Sequence, residues 1–195
     1  GALVPGYLAS EDAPGHPDEV RERLSEATDE PYRIYSRGEL SSDPEEKLDG
    51  YLDLIDLRRR AAVAMLEEYD WRLACFQVQK TDAVFHNFET DDAFRSVYVA
   101  ADEFLGSVLD AVDDETNVVV CSDHGIGPVE GYRIHLNEVL RQHGYVQTTD
   151  DAERVTLQSE KQGLVDGDGA RTADGESSAS AVSATGTAGD DPSLL

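Results

Sequence analysis

Two stretches, 73-LACFQVQKTDAVFH-86 and 117-NVVVCSDHG-125, decide the predicted fold. Each begins with a short apolar run typical of a β-strand and ends in one aspartate and one histidine. The run at 117–121 does not alternate apolar and polar side chains, so we expect a strand buried on both faces. Ligands of parallel sheets bind beyond the carboxyl ends of the strands. We therefore expect Asp82 and Asp123 to lie on one rim of a sheet.

Helical patterns alternate with these two runs. Asp43 and Pro44 form a helix start, and an apolar stripe with a period near 3.6 follows to about Tyr69. Comparable patterns predict further helices at residues 18–27, 91–112 and 136–143. The rest of residues 1–42 is predicted to be irregular surface. The order helix, strand, helix, strand, helix predicts an α/β fold, with a mostly parallel sheet flanked by helices.

The composition is strongly acidic. The chain has 195 residues, with 41 Asp and Glu against 16 Lys and Arg, and a formal net charge of −25. Duplex nucleic acid and anionic membrane surfaces are poor partners for such a chain, because both require clustered cationic side chains. No run approaches the roughly 20 apolar residues of a membrane helix. The excess of Asp and the scarcity of Lys favour a halophilic protein, and an ordinary acidic protein is the alternative.

The composition also divides the chain. Residues 1–149 are predicted to form the folded domain, and residues 150–195 a low-complexity, acidic and disordered tail or insertion, because Gly163–Asp191 is poor in large apolar residues. The two cysteines, Cys75 and Cys121, lie inside the apolar runs. We expect buried free thiols and a cytoplasmic location.

The aspartates and histidines of the two clusters are candidate metal ligands. The i, i+4 spacing of Asp82 and His86 lets both side chains reach one point on a helix. Alternatively, Asp82 is a helix N-cap and His86 a surface residue. Asp123 and His124 are adjacent on a glycine-containing loop and can both coordinate a metal, or Asp123 can cap a turn. Lys80 beside the first cluster either meets an anionic substrate or stays solvated.

Three segments resemble one family in sequence and in order. Residues 118–128, VVVCSDHGIGP, resemble the "SDHGM" segment of the alkaline phosphatase superfamily, and the nearest branch is the type I phosphodiesterase/nucleotide pyrophosphatase group. Residues 79–88, QKTDAVFHNF, resemble that group's "TDxxxH" segment. Residues 136–146, LNEVLRQHGYV, resemble its "vNxxLxxxGyl" stretch. The resemblance covers about residues 45–147 and implies a partial alkaline-phosphatase-like domain.

The resemblance also implies a metal centre and a substrate class. Asp82 and His86 would ligate one divalent ion, and Asp123 and His124 a second. The ions would be zinc, with manganese as an alternative, and the substrate would be a small phosphate ester. The family's nucleophile and a further aspartate lie upstream of the "TDxxxH" segment, and nothing in residues 1–81 matches either. A further histidine downstream is also unmatched.

These departures imply that the chain is an internal portion of a hydrolase, without a catalytic nucleophile of its own and inactive alone. A non-catalytic metal-binding relative is one alternative. A sibling branch, such as a sulfatase, a phosphonate hydrolase or a phosphoglycerate mutase, is another. The sequence leaves the oligomeric state open.

Overall fold

The computed structural model describes residues 1–128, 131, 134–147 and 157–167, with side chains from residue 161 onward in the last range. Six helices lie in these ranges. They are α1 (Val20–Thr28), α2 (Pro44–Glu68), α3 (Lys80–Asn87), α4 (Asp91–Ala111), α5 (Leu136–Gln142) and α6 (Leu157–Val165). The predicted helices at 18–27, 43–69, 91–112 and 136–143 are confirmed as α1, α2, α4 and α5.

Helix α2 is the centre of the fold. The Asp43 carboxylate accepts hydrogen bonds from the backbone N–H groups of Glu45 and Glu46, at 2.9 and 3.3 Å, which caps the helix as predicted. One face of α2 packs against α4 and α3, and another packs against α1. Because α2 carries apolar residues on both faces, it separates two clusters of buried side chains.

The larger cluster joins α2, α3 and α4. Its buried members are Ile55, Ala62, Val84, Ala93, Val97 and Phe104. The smaller cluster joins α1 to the opposite side of α2 and is built from Val20, Leu24 and Ala61. Val84 is fully buried, so it attaches the inner face of α3 to the larger cluster.

The predicted parallel sheet is wrong. Within the described ranges the only β-pairing is an isolated antiparallel bridge between Leu3 and His16. The runs at 73–78 and 117–121 form neither helix nor strand, and neither has a strand beside it. Val119 is 82% exposed, so the expectation of a strand buried on both faces fails as well. A β-branched run favours extended backbone, but a sheet also needs a neighbouring strand, and local sequence does not specify one.

Two further expectations are also wrong. Cys75 and Cys121 are free thiols as expected, but both are exposed and not buried. Residues 1–42 are not all surface, since Ile34, Tyr35 and Glu39 are buried.

The predicted tail at 150–195 lies outside the described residues except for 157–167, where α6 forms. Across the ranges that the structure describes, no helix combines the length and the apolar character needed to cross a bilayer.

The two helix-interior glycines Gly50 and Gly106 should respond oppositely to alanine. A Cβ at Gly50 would overlap the main-chain carbonyl oxygen of Arg37, so we expect Gly50→Ala to lower the free energy of unfolding by about 1–3 kcal/mol. No atom lies within 4 Å of a Cβ at Gly106 on α4, so Gly106→Ala should raise it by up to about 1 kcal/mol. Urea denaturation measures both, and equal effects would contradict the close approach of α2 to Arg37.

Candidate metal centre

Helix α3 carries the first Asp–His pair. Asp82 is the third residue of this helix and His86 lies one turn later, so the i, i+4 spacing places both on one face. His86 Nε2 lies 3.5 Å from Asp82 Oδ1. The N-cap of α3 is Gln79, so the alternative that Asp82 caps the helix is wrong.

The environment of Asp82 is unusual for a carboxylate near the surface. Its Oδ1 atom is buried, and no hydrogen-bond donor reaches it within the described part of the chain. A buried carboxylate oxygen normally has a hydrogen-bond partner or a cation, because leaving it unpaired costs free energy. The His86 side chain is 66% exposed, and its Nε2 lies at salt-bridge distance from this atom.

The second pair lies on an exposed loop after residue 121. His124 Nε2 is 3.5 Å from Asp123 Oδ2, and the two side chains are 59% and 89% exposed. His124 Nδ1 is 3.0 Å from the carbonyl oxygen of Gly125. A carbonyl oxygen only accepts, so Nδ1 carries the proton and Nε2 faces Asp123. Histidines that bind metals commonly donate their second ring N–H to such a carbonyl.

The spacing within each pair suits an ion. Two ligand atoms of a tetrahedral zinc ion lie about 3.4 Å apart, given metal–ligand distances near 2.1 Å. Both Asp–His pairs match this separation, at 3.5 Å each. An Asp–His ion pair has the same spacing when the imidazole is protonated, so distance alone does not separate the two.

Carboxylates of both pairs affect the pKa of His124. The Gly125 carbonyl raises the pKa of His124, and the negative charges of Asp123 and then Asp82 raise it further. The pairs do not merge, however, since no group of three or more potential ligands comes together within the described ranges.

Lys80 does not have either of its predicted roles. Its side chain is 6% exposed and its Nζ lies 2.6 Å from Glu39 Oε2, so it is neither solvated nor free to meet a substrate. Burial lowers the pKa of Lys80 to about 8 despite Glu39, which leaves the ammonium protonated at neutral pH. Sequence patterns missed Glu39 because it lies in a segment without periodicity.

Glu39 is the acidic centre of this buried group. Its side chain is 2% exposed and also lies 2.7 Å from Lys161 Nζ on α6. Burial by itself raises the pKa of a carboxyl, but Lys80, Lys161 and the Ser36 hydroxyl together lower the pKa of Glu39 to about 2. Glu39 is therefore ionised throughout the neutral range.

A groove of about 570 Å³ lies elsewhere, between α2 and α4, with Arg59 and Arg95 in its walls. Neither Asp–His pair lines it. The candidate metal centre is therefore a surface site at the start of α3 and the loop after residue 121, separate from this groove.

The type I phosphodiesterase/nucleotide pyrophosphatase family model matches residues 16–179. The chain belongs to this family. The predicted branch of the alkaline phosphatase superfamily is thereby confirmed, and the match includes all four candidate ligands. Membership indicates a phosphoric ester hydrolase of a generally metal-dependent kind that acts on small phosphate esters. No curated protein and no solved structure matches the chain.

The pKa of Glu39 predicts a specific acid sensitivity. Because the folded-state pKa lies near 2 and the ordinary value is 4.5, the ionised carboxylate stabilises the fold above pH 4.5. This contribution is lost as the pH falls from about 4.5 to about 2. The urea midpoint of Glu39→Gln should lie below that of wild type at pH 7, and the gap should narrow towards pH 3.

Glu138→Gln is the matched control for this measurement. Glu138 also has a pKa lowered to about 2, chiefly by Arg141, but it is 46% exposed, so solvent screens the pair. Glu138→Gln should therefore change the urea midpoint little at any pH. A gap between wild type and Glu39→Gln that stays constant from pH 7 to pH 3 would contradict the assigned ionisation.

Proposed function

We propose that this chain is the metal-binding portion of a phosphodiesterase/nucleotide pyrophosphatase-type hydrolase. Asp82 and His86 hold one divalent ion, and Asp123 and His124 hold a second. The observation that carries the proposal is the buried Oδ1 of Asp82, which accepts no hydrogen bond within the described part of the chain and lies 3.5 Å from an imidazole nitrogen of His86. A donor set of two carboxylates and two imidazoles suits zinc, and manganese is the second choice.

The chain's own residues would prepare the centre. The Gly125 carbonyl holds the Nδ1 proton of His124, which leaves the lone pair of Nε2 for an ion. Asp82 and Asp123 bring two negative charges that offset the charge of divalent cations. Bound ions would supply an electrophile for a phosphate ester and lower the pKa of an attacking hydroxyl.

We assign no nucleophile to the described residues. The upstream serine or threonine of the family has no match in residues 1–81. We therefore expect the chain alone to bind metal without hydrolysing bis-nitrophenyl phosphate in the presence of zinc or manganese. Turnover at the rate of an intact family enzyme would contradict this part of the proposal.

The second candidate is a non-catalytic relative that keeps half of the site for structural or binding purposes. The observation that favours it is the failure of any three potential ligands to converge within the described ranges. Zinc stoichiometry separates the two candidates, because the hydrolase centre should take two ions per chain. A relative that keeps half of the centre should take one.

Zinc titration by calorimetry tests the ligand assignment. Each ligand variant removes one donor, so Asp82→Asn and Asp123→Asn should each weaken zinc binding about tenfold or more. Asp110→Asn on the exposed face of α4 removes the same charge at a residue that is not a candidate ligand and is the matched control. Equal affinities for wild type and both ligand variants would contradict the proposal.

A further inference from the structure

The strongest feature outside the four ligands is the buried charge at the start of α3. Lys80 is the first residue of this helix, and Lys80 and Glu39 are both buried. Their 2.6 Å contact joins residues that are 41 positions apart in the chain. A charged pair this deeply buried is strongly destabilised when one partner is removed. The contact is therefore a firm attachment of α3 to the segment before α2.

The surroundings of the pair leave little freedom to either side chain. Lys80 Nζ lies 4.4 Å from the centre of the Tyr51 ring on α2, within the range of a cation–π contact. The Ser36 hydroxyl donates a hydrogen bond to Glu39 Oε2. Lys161 on α6 contacts the other oxygen, Oε1. The carboxylate is thus bound on both oxygens, and the ammonium is held between Glu39 and Tyr51.

Helix α3 needs such an attachment at its first turn. It has only eight residues, a length at which an isolated helix is not stable in water. Its N-cap residue Gln79 makes no side-chain capping hydrogen bond. Ala83 and Val84 anchor the middle of the helix in the core, and the ion pair anchors its start. Asp82 lies between these anchors, in the same turn as Lys80.

We propose that Lys80 is a positioning residue for the metal centre. Its contact with Glu39 fixes the first turn of α3, and this turn sets the direction of the Asp82 carboxylate and, one turn later, of the His86 imidazole. The inference rests on the proposed function, since it concerns two of the four proposed ligands. Lys80 itself contacts neither the ion nor the substrate.

Lys161 provides the matched control. Lys80 and Lys161 contact the same carboxylate, but only Lys80 belongs to the helix with the proposed ligands. In Lys80→Met the carboxylate keeps Lys161, and in Lys161→Met it keeps Lys80, so neither variant leaves Glu39 without a cation. We expect Lys80→Met to weaken zinc binding by about tenfold or more in calorimetry. Lys161→Met should bind zinc as wild type does.

A stability effect must be separated from a positioning effect. Leu24→Ala removes a buried side chain from the smaller cluster, away from α3, and lowers the melting temperature. At a temperature where all variants remain folded by circular dichroism, it should keep the wild-type zinc affinity. If Lys80→Met binds zinc as tightly as wild type, or if affinity falls equally in all three variants, the proposal is overturned.

Hydrogen exchange of the metal-free full chain tests the positioning role of Lys80 independently of the proposed metal binding. The amides of α3 should exchange faster in Lys80→Met, while those of α4 in Lys80→Met and those of α3 in Lys161→Met stay at wild-type rates. Unchanged exchange in α3 would overturn the positioning role. Faster exchange in α3, combined with zinc binding that Asp82→Asn leaves intact, would support the attachment and refute Asp82 as a ligand.

Discussion

The contact between Glu39 and Lys80 is the constraint on which the candidate site depends. It joins the segment before α2 to the start of α3, and Tyr51 and Lys161 bring α2 and α6 to the same point. A buried charge is tolerated only when it is paired, so these elements keep one arrangement relative to one another. The larger cluster, which contains Val84, provides the second attachment of α3. The first Asp–His pair therefore rests on a short helix that is fixed at two points.

The second pair has a different structural basis. Asp123 and His124 lie on an exposed loop, and Val119 and Val120 in the preceding run are exposed as well. The hydrogen bond from His124 to the Gly125 carbonyl sets the ring's tautomer but does not attach the loop to the core. The candidate site thus combines one Asp–His pair on a helix that is anchored in the core with a second pair whose histidine is held by a contact within its own loop.

Sequence reasoning succeeded where the information is local. The cap at Asp43, the start of α4 at Asp91 and the i, i+4 spacing of Asp82 and His86 follow from neighbours within a few positions, and the motifs identified the family. It failed where the outcome depends on distant residues. The sheet required a partner strand for residues 117–121, and the ion pair of Lys80 required Glu39, 41 positions earlier. The periodicity of a sequence does not predict contacts between residues so far apart in the chain.

X-ray absorption at the zinc edge of the zinc-loaded chain tests the central claim most directly, because Cys75 and Cys121 are exposed and Cys121 lies two residues before Asp123. A centre built from the Asp82–His86 and Asp123–His124 pairs predicts nitrogen and oxygen neighbours at about 2.0–2.2 Å, with the multiple-scattering signature of imidazole. A sulfur neighbour at about 2.3 Å would contradict it, because the exposed thiols would then hold the metal in place of a carboxylate or an imidazole.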